Sequence, residues 1–167
     1  MSKNIKIINV GGTFNKVYIP TTGELIVPKD SVAIEEILEE TYKTNPPPQI
    51  EGLIYKDSLA MDKNDRKLLL NKILSSKEKR IIIVHGTDTI KKSAKVLSKF
   101  VTKQTIVFVG AMKPFSYEKV EASTTLGMAL GFLQSISKKG VFICMNGLIK
   151  KHNKIKKDYK KGVFICQ

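Results

Sequence analysis

The sequence predicts an α/β domain: a mainly parallel, open, Rossmann-like sheet flanked by helices. Three observations predict it. Five short apolar runs recur along the chain, and each stops at a cluster of small and polar residues. Stretches of helical periodicity separate these runs, which is the βαβ alternation of a parallel sheet. The 167 residues, 42% of them hydrophobic, suffice for one substantial core and are too few for two full domains, so residues 1–167 are read as one domain.

The first run, Ile7-Ile8-Asn9-Val10, ends in Gly11-Gly12-Thr13. Directly after it, Val17-Tyr18-Ile19 and Leu25-Ile26-Val27 flank the turn residues Pro20-Thr21-Thr22-Gly23, the pattern of a β-hairpin. Such a hairpin would hang over the strand end as a mobile lid, with Tyr18 as its reaching side chain. Ser31 to Tyr42 sets Val32, Ile34, Ile37 and Leu38 against Glu35, Glu36, Glu39 and Glu40, an amphipathic helix. Pro46-Pro47-Pro48 forbids further helix and leads in extended form to Leu53-Ile54-Tyr55, which ends in Lys56-Asp57-Ser58. Asp62 is placed to cap a helix from about Lys63 to Leu74, with Leu69 and Ile73 at helical spacing.

Ile81-Ile82-Ile83-Val84 then runs into His85-Gly86-Thr87-Asp88-Thr89. The helix that follows lines up Ile90, Ala94, Leu97 and Val101 as one apolar stripe, with Asp88 or Thr89 at its positive end. Thr105-Ile106-Val107-Phe108-Val109 ends in Gly110-Ala111-Met112-Lys113-Pro114. Glu121 to Ser137 reads as a helix with Leu126, Ala129, Leu130, Leu133 and Ile136 on one side, and its Gly127 and Gly131 suit close helix packing or a subunit contact. Val141-Phe142-Ile143-Cys144-Met145 ends in Asn146-Gly147. From Lys150 the chain reads as a lysine-rich tail finishing in Val163-Phe164-Ile165-Cys166, a short last strand or docking segment. Ligands of open parallel sheets bind at the carboxyl ends of the strands. Thr13, Ser58, Thr87 and Asp88 are therefore expected in one pocket despite their separation along the chain.

A net charge of +14 raises nucleic acid as a partner, but the composition argues against it. Arg66 and Arg80 are the two arginines; the remaining positive charge is lysine, which lacks the planar fork that reads base edges. Lysines scatter over Lys43, Lys67, Lys77, Lys91, Lys103 and Lys138, as on solvated helix faces, and gather only between Lys150 and Lys161, where seven meet one aspartate. The charge reads mainly as a solubility effect. No apolar stretch is long enough to cross a bilayer, and Met1-Ser2-Lys3-Asn4 leads straight into a strand, so a cytoplasmic protein without a membrane partner is expected. Cys144 and Cys166 form neither a metal pattern nor a disulfide framework and are read as reduced; neither a metal nor an organic cofactor is implied. Thr13-Phe14-Asn15-Lys16 follows Gly11-Gly12 where a GxGxxG fingerprint would continue, so nucleotide binding has little support.

Three places can carry chemistry. Gly11-Gly12 permits a tight turn and close approach of a ligand to the main chain; Thr13 after it is open to two readings, a nucleophile or a residue capping the next element. His85 to Thr89 combines a strand end, a glycine, hydroxyls and a carboxylate in five residues. Asp88 suits an ammonium group and Thr87 a carbonyl carbon, although both residue types also favour a helix N-cap. His85 reads as a packed, hydrogen-bonded histidine rather than a base, for want of a neighbouring acid motif. A hydroxyl nucleophile needs a base, and a desolvated lysine can serve; Lys157, then Lys156, are the candidates.

Taken in order, Gly11-Gly12-Thr13, Asp57-Ser58 with Met61, the string His85-Gly86-Thr87-Asp88-Thr89 and Gly110-Ala111-Met112-Lys113-Pro114 resemble the amino-terminal domain of the bacterial-type L-asparaginases and glutaminase-asparaginases. The resemblance covers nearly the whole chain. It implies a threonine amidohydrolase that converts L-asparagine, or a related small amide, to aspartate and ammonia through an acyl-enzyme whose oxyanion backbone N–H groups hold. Thr13 would be the primary nucleophile, Tyr18 its helper, and Thr87 the second essential threonine, paired with Lys157. Ser58 and Asp88 would hold the substrate's α-carboxylate and α-amino groups, with Gly12, Asp57, Gly86 and Ala111 completing the binding set. The Tyr18 hairpin is shorter than the family's usual lid, and Glu121 stands where an aspartate is common. The chain is also expected to stop before the family's smaller carboxy-terminal domain, which adds acidic contacts to a neighbouring subunit's site. A homo-oligomer, with a dimer favoured, is the expected assembly. A non-catalytic amino-acid-binding or regulatory module is the alternative function.

Overall fold

Branched apolar residues dominate the five runs, and all five form strands. The structure, a computed structural model, describes residues 4–135 and 138–167; Met1 to Lys3, and the Ile136 and Ser137 expected at the end of the last helix, lie outside them. In chain order the elements are β1 (Ile5–Gly11), β2 (Val17–Ile19), β3 (Glu24–Ile26), α1 (Val32–Thr41), β4 (Gln49–Lys56), α2 (Lys63–Ser75), β5 (Arg80–Val84), α3 (Ile90–Ser98), β6 (Thr105–Val109), α4 (Lys119–Ser135), β7 (Gly140–Met145), β8 (Leu148–Lys151), β9 (Ile155–Asp158) and β10 (Val163–Cys166). Six strands pair in the order β4-β1-β5-β6-β7-β8. The first five are mutually parallel, and β8 closes the edge antiparallel to β7.

Alternation along the strands divides the core into two layers. Ile7, Ile82, Val84, Val107 and Val109 face one side, where Ile34 and Ile37 of α1 and Leu126, Ala129 and Leu133 of α4 cover them. Ile8, Val10, Ile81, Ile83 and Phe108 face the other, under Leu69 and Ile73 of α2 and Ile90, Ala94 and Leu97 of α3. The strand order has a consequence for function. From β1 the chain leaves toward β4 through α1 on the first face, whereas from the adjacent β5 it leaves toward β6 through α3 on the second. The gap between the carboxyl ends of β1 and β5 is thus a topological switch point, the place where open α/β sheets take their ligands.

Local signals behave as expected in most elements. Asp62 caps α2 through bonds from the Asn64 and Asp65 N–H groups, and Asp65 returns the bond to Asp62 N, a full capping box. The hairpin β2–β3 pairs Tyr18 with Leu25, and its turn places Gly23 at φ +71°. Gly127 and Gly131 do not serve close packing within the chain, because both are exposed and a Cβ on either would meet open space. The tail from Lys150 is ordered differently from the expectation. Asn146 and Gly147, at φ +49° and +77°, form the turn of a β7–β8 hairpin. β9 and β10 then pair with each other as a separate two-stranded sheet, whose Ile155 and Phe164 insert into the second core layer.

Candidate active site at the carboxyl ends of β1, β4 and β5

Glycine brings three strand ends into backbone contact. A Cβ on Gly12, at φ +85°, would lie 2.3 Å from Gly86 N, and one on Gly86 would lie 2.6 Å from the Ser58 Cβ. Gly12 N also donates to Lys56 O at 2.9 Å. No side chain fits at either glycine, so the residues that follow β1, β4 and β5 meet across the switch point. Gly110 adds the end of β6, where a Cβ would lie 3.1 Å from Thr87 Cγ2. Ala111, expected to help bind substrate, is wholly buried in the first core layer, so its side chain is spent on packing.

Thr13 opens a single 3-10 turn, Thr13–Asn15, directly after Gly12. The turn is tied from below by buried amides. Asn9 Oδ1 accepts from Gly11 N at 2.9 Å and from Asn15 Nδ2 at 3.1 Å, while Asn9 Nδ2 donates to Asp30 O and Ser31 Oγ. Ser116 Oγ fixes the far end by donating to Lys16 O at 2.8 Å. The Thr13 side chain is half-buried, and among the described residues its hydroxyl has no hydrogen-bond partner.

On the β4 side, Asp57 is already engaged. Its carboxylate pairs with Lys16 at 2.6 Å and accepts the Leu59 N–H at 3.0 Å. Burial opposes its ionisation, yet the Lys16 ammonium, the Leu59 N–H and the more distant Lys157 together hold its carboxyl below the usual range. Ser58 is buried; its Oγ accepts the Thr89 N–H at 3.3 Å, and its carbonyl accepts from Thr89 Oγ1 at 2.8 Å. Thr89 is the N-cap of α3 but makes no capping bond, its hydroxyl being turned to Ser58 instead.

On the β5 side, Lys157 Nζ donates to Thr87 Oγ1 at 2.9 Å and to Asp88 Oδ1 at 2.7 Å. The side chain that makes these bonds is 10% exposed. Alternation along β9 turns Lys157 inward and leaves Lys156 exposed, so Lys157 is the one of the two that reaches Thr87 and Asp88. Tyr159 completes the corner: its hydroxyl donates to Asp88 O at 3.0 Å, and its ring lies 5.3 Å from Lys157 Nζ. His85 is buried behind them, and that burial pushes its pKa down to about 4, so it stays a neutral packed ring as expected. Tyr18 stands on the hairpin, 50% exposed and without a hydrogen bond among the described residues. Among those residues, no group of three His, Cys, Asp or Glu is arranged to hold a metal ion.

A family model described as the amino-terminal domain of asparaginase matches residues 4–163. The chain belongs to the asparaginase family. Its fold is shared with the thermostable L-asparaginase from Thermococcus kodakarensis (TM-score 0.84, 18% identity), a match covering 98% of this chain and 51% of that one. It is also shared with a probable cytoplasmic L-asparaginase from Campylobacter jejuni (TM-score 0.76, 22% identity), covering 98% of this chain and 52% of that one. The chain thus spans about half the length of either asparaginase. No curated protein sequence matches it. No helix among its described residues is long and apolar enough to cross a membrane.

Three residues of this asparaginase-family rim escape the motif reading. Lys16 and Tyr159 sit in segments whose sequence gives them no partner; the pairing Lys16–Asp57 and the bond Tyr159–Asp88 join residues 41 and 71 positions apart. Arg66 counts in the sequence only as one arginine on a helix, yet it is buried beside Thr89. Glu121, in contrast, carries a local signal: at the start of α4 its carboxylate accepts the N–H groups of Met112 and Lys113 at 3.0 and 3.1 Å.

Proposed function

We propose that this asparaginase-family domain is an amidohydrolase acting on L-asparagine or a related small amide, with Thr13 as nucleophile. The bond from Lys157 to Thr87, made beside Asp88 at the switch point between β1 and β5, is the observation that carries the reading. The lysine reaches the rim from a different sheet, and its ammonium is shared between the Thr87 hydroxyl and the Asp88 carboxylate. Because Lys157 donates to Thr87 Oγ1, the hydroxyl's own proton is free to point into the pocket.

In the first step the Thr13 oxygen bonds to the side-chain amide carbon. Its proton passes, with Tyr18 as helper once the hairpin closes, to the leaving nitrogen, and the carbon–nitrogen bond breaks to release ammonia. Backbone N–H groups around Gly12 and Gly86 stabilise the oxyanion. Water, held by Thr87 and Lys157, then adds to the ester, returns a proton to Thr13 and releases aspartate. Asp88 has a second carboxylate oxygen for the substrate's α-ammonium. Ser58, whose oxygen is already an acceptor for Thr89 N–H, keeps its own proton for the α-carboxylate. Asp57, its charge met by Lys16, fixes the turn that carries Ser58 by accepting the Leu59 N–H. Cytoplasmic residence, and a dimer that closes the rim against solvent, belong to the same proposal.

The test is ammonia release from L-asparagine by the purified protein beside Thr13→Ala and Thr87→Val, with L-aspartate binding measured in parallel. Turnover in the parent and a loss on the order of 10³-fold or more in each variant are expected. Retained L-aspartate binding without turnover in the parent would instead identify an amino-acid-binding module.

A further inference from the structure

Arg66, on α2, takes no part in the steps above, although it is buried within bonding distance of the rim. Buried cations ordinarily face a carboxylate. None of the hydrogen bonds from Arg66 ends on one. Nη1 donates to Met61 O and Asp62 O, both at 2.8 Å, Nη2 to Thr89 Oγ1 at 3.0 Å, and Nε to Ser93 Oγ at 3.1 Å. Asp65, its sequence neighbour, is bonded to Lys56 and Asp62 N instead.

A guanidinium can only donate, so each hydroxyl that receives from it sends its own proton onward. Thr89 Oγ1 passes its proton to Ser58 O at 2.8 Å. Ser93 Oγ passes its proton to His85 Nε2, also at 2.8 Å. At the other side of the ring, His85 Nδ1 lies 2.8 Å from Gly86 O, an atom that can only accept. Nδ1 must therefore carry the ring proton and Nε2 must accept; the two ends of the branch demand the same neutral tautomer. Burial, opposed by the bond to Gly86 and aided by the Arg66 charge, keeps the ring neutral.

Each branch ends on a rim residue. Thr89 holds the Ser58 backbone carbonyl and fills one acceptor position of its Oγ, so the Ser58 proton points away from the Thr89 N–H. With the Gly86 carbonyl drawn to His85, the trans peptide turns the Thr87 N–H the opposite way. Among the described residues that N–H has no acceptor, which leaves it available to an oxyanion.

We propose that Arg66 is a positioning residue: one buried cation drives two one-way hydrogen-bond relays, one setting Ser58 and the other setting the Gly86–Thr87 peptide. The catalytic consequence rests on the amidohydrolase reading, whereas the relays do not.

Histidine-selective nitrogen NMR tests the relays directly, with a His152→Gln variant for assignment. His85 is expected as the neutral Nδ1–H tautomer between roughly pH 5 and pH 8. An Nε2–H tautomer overturns the relay, whether or not the protein releases ammonia. Branch-specific variants test the positioning. Ser93→Ala is expected to lower kcat roughly tenfold with little change in the Kd for L-aspartate, and Thr89→Val to raise KM and that Kd roughly fivefold. Arg66→Met combines both effects, and Arg66→Lys serves where Arg66→Met does not fold. A lowered Tm with kcat, KM and Kd all unchanged would reduce Arg66 to a structural residue and overturn the proposal. If the parent releases no ammonia, the amidohydrolase reading fails on its own, and the tautomer and the aspartate Kd still judge Arg66.

Discussion

Thr13, Ser58 and Thr87 stand just past the ends of parallel strands of the main sheet, whereas Lys157 and Tyr159 arrive on a two-stranded hairpin that shares no ladder with it. The first group is over-determined. Glycine contacts that admit no Cβ, the Asn9–Asn15 amides and the Arg66 relays all fix the same few atoms. The hairpin is held to the fold by Ile155 and Phe164 in the second core layer and by the bond from Phe164 N to Asn146 Oδ1. Its inward lysine is thus separable from the residues that dock it. In a rim built this way, stability and chemistry are entangled on the sheet side and divided on the hairpin side.

Substitutions on the hairpin should expose that division most strongly. Lys157→Met is expected to cost on the order of 10²-fold or more in kcat while shifting Tm by no more than a few degrees. Ile155→Ala, two residues away and wholly buried, is expected to lose about 2–4 kcal/mol of stability, read by chemical denaturation, with kcat per folded molecule nearly intact. A matching loss of stability in Lys157→Met would merge the two roles.

Acid should act on the sheet side next. The unfolded chain protonates His85 near its ordinary value of 6.5, but the folded protein refuses that proton down to about 4. Stability therefore falls as pH is lowered from about 6.5 to 4 and levels off below it for this group, by at most about 3 kcal/mol. His152, also held below its usual value by desolvation, adds a smaller slope of the same sign. The difference between parent and His85→Gln in denaturation curves across that range isolates the His85 share, and no difference would mean that the ring is not locked neutral.

The smallest effect lies away from both sides. Gly127 is exposed in the interior of α4 with open space at its Cβ position, so Gly127→Ala should raise stability by about 0.5–1 kcal/mol and leave kcat unchanged. A loss of activity or of assembly there would show that a second subunit rests on this face.

Much of this arrangement is legible in the residues. β1, β4, β5, β6 and β7 each announce themselves as branched apolar runs closed by glycine or small polar residues, and the capping box at Asp62 names the start of α2. β8 and β9 do not. Leu148-Ile149-Lys150-Lys151 and Ile155-Lys156-Lys157-Asp158 each carry too little apolar pattern to outweigh their lysines, so edge strands with one solvated face read as a charged tail. The Asn146-Gly147 dipeptide was the available signal for the first of them, since it favours a tight hairpin. Within the site, motifs located Thr13, Ser58, Thr87 and Asp88 because each follows a strand end. Lys16, Arg66 and Tyr159 were invisible, because their partners are set by tertiary approach and not by spacing along the chain.

On the proposed mechanism, Thr87 and Lys157 work as one unit across the gap between sheet and hairpin. A double-mutant cycle on ammonia release from L-asparagine, comparing Thr87→Val, Lys157→Met and the pair, tests it most directly. The double variant is expected to be no slower than the slower single one, as for groups that act only together. Losses that multiply, or a Lys157→Met protein as active as its parent, would contradict it.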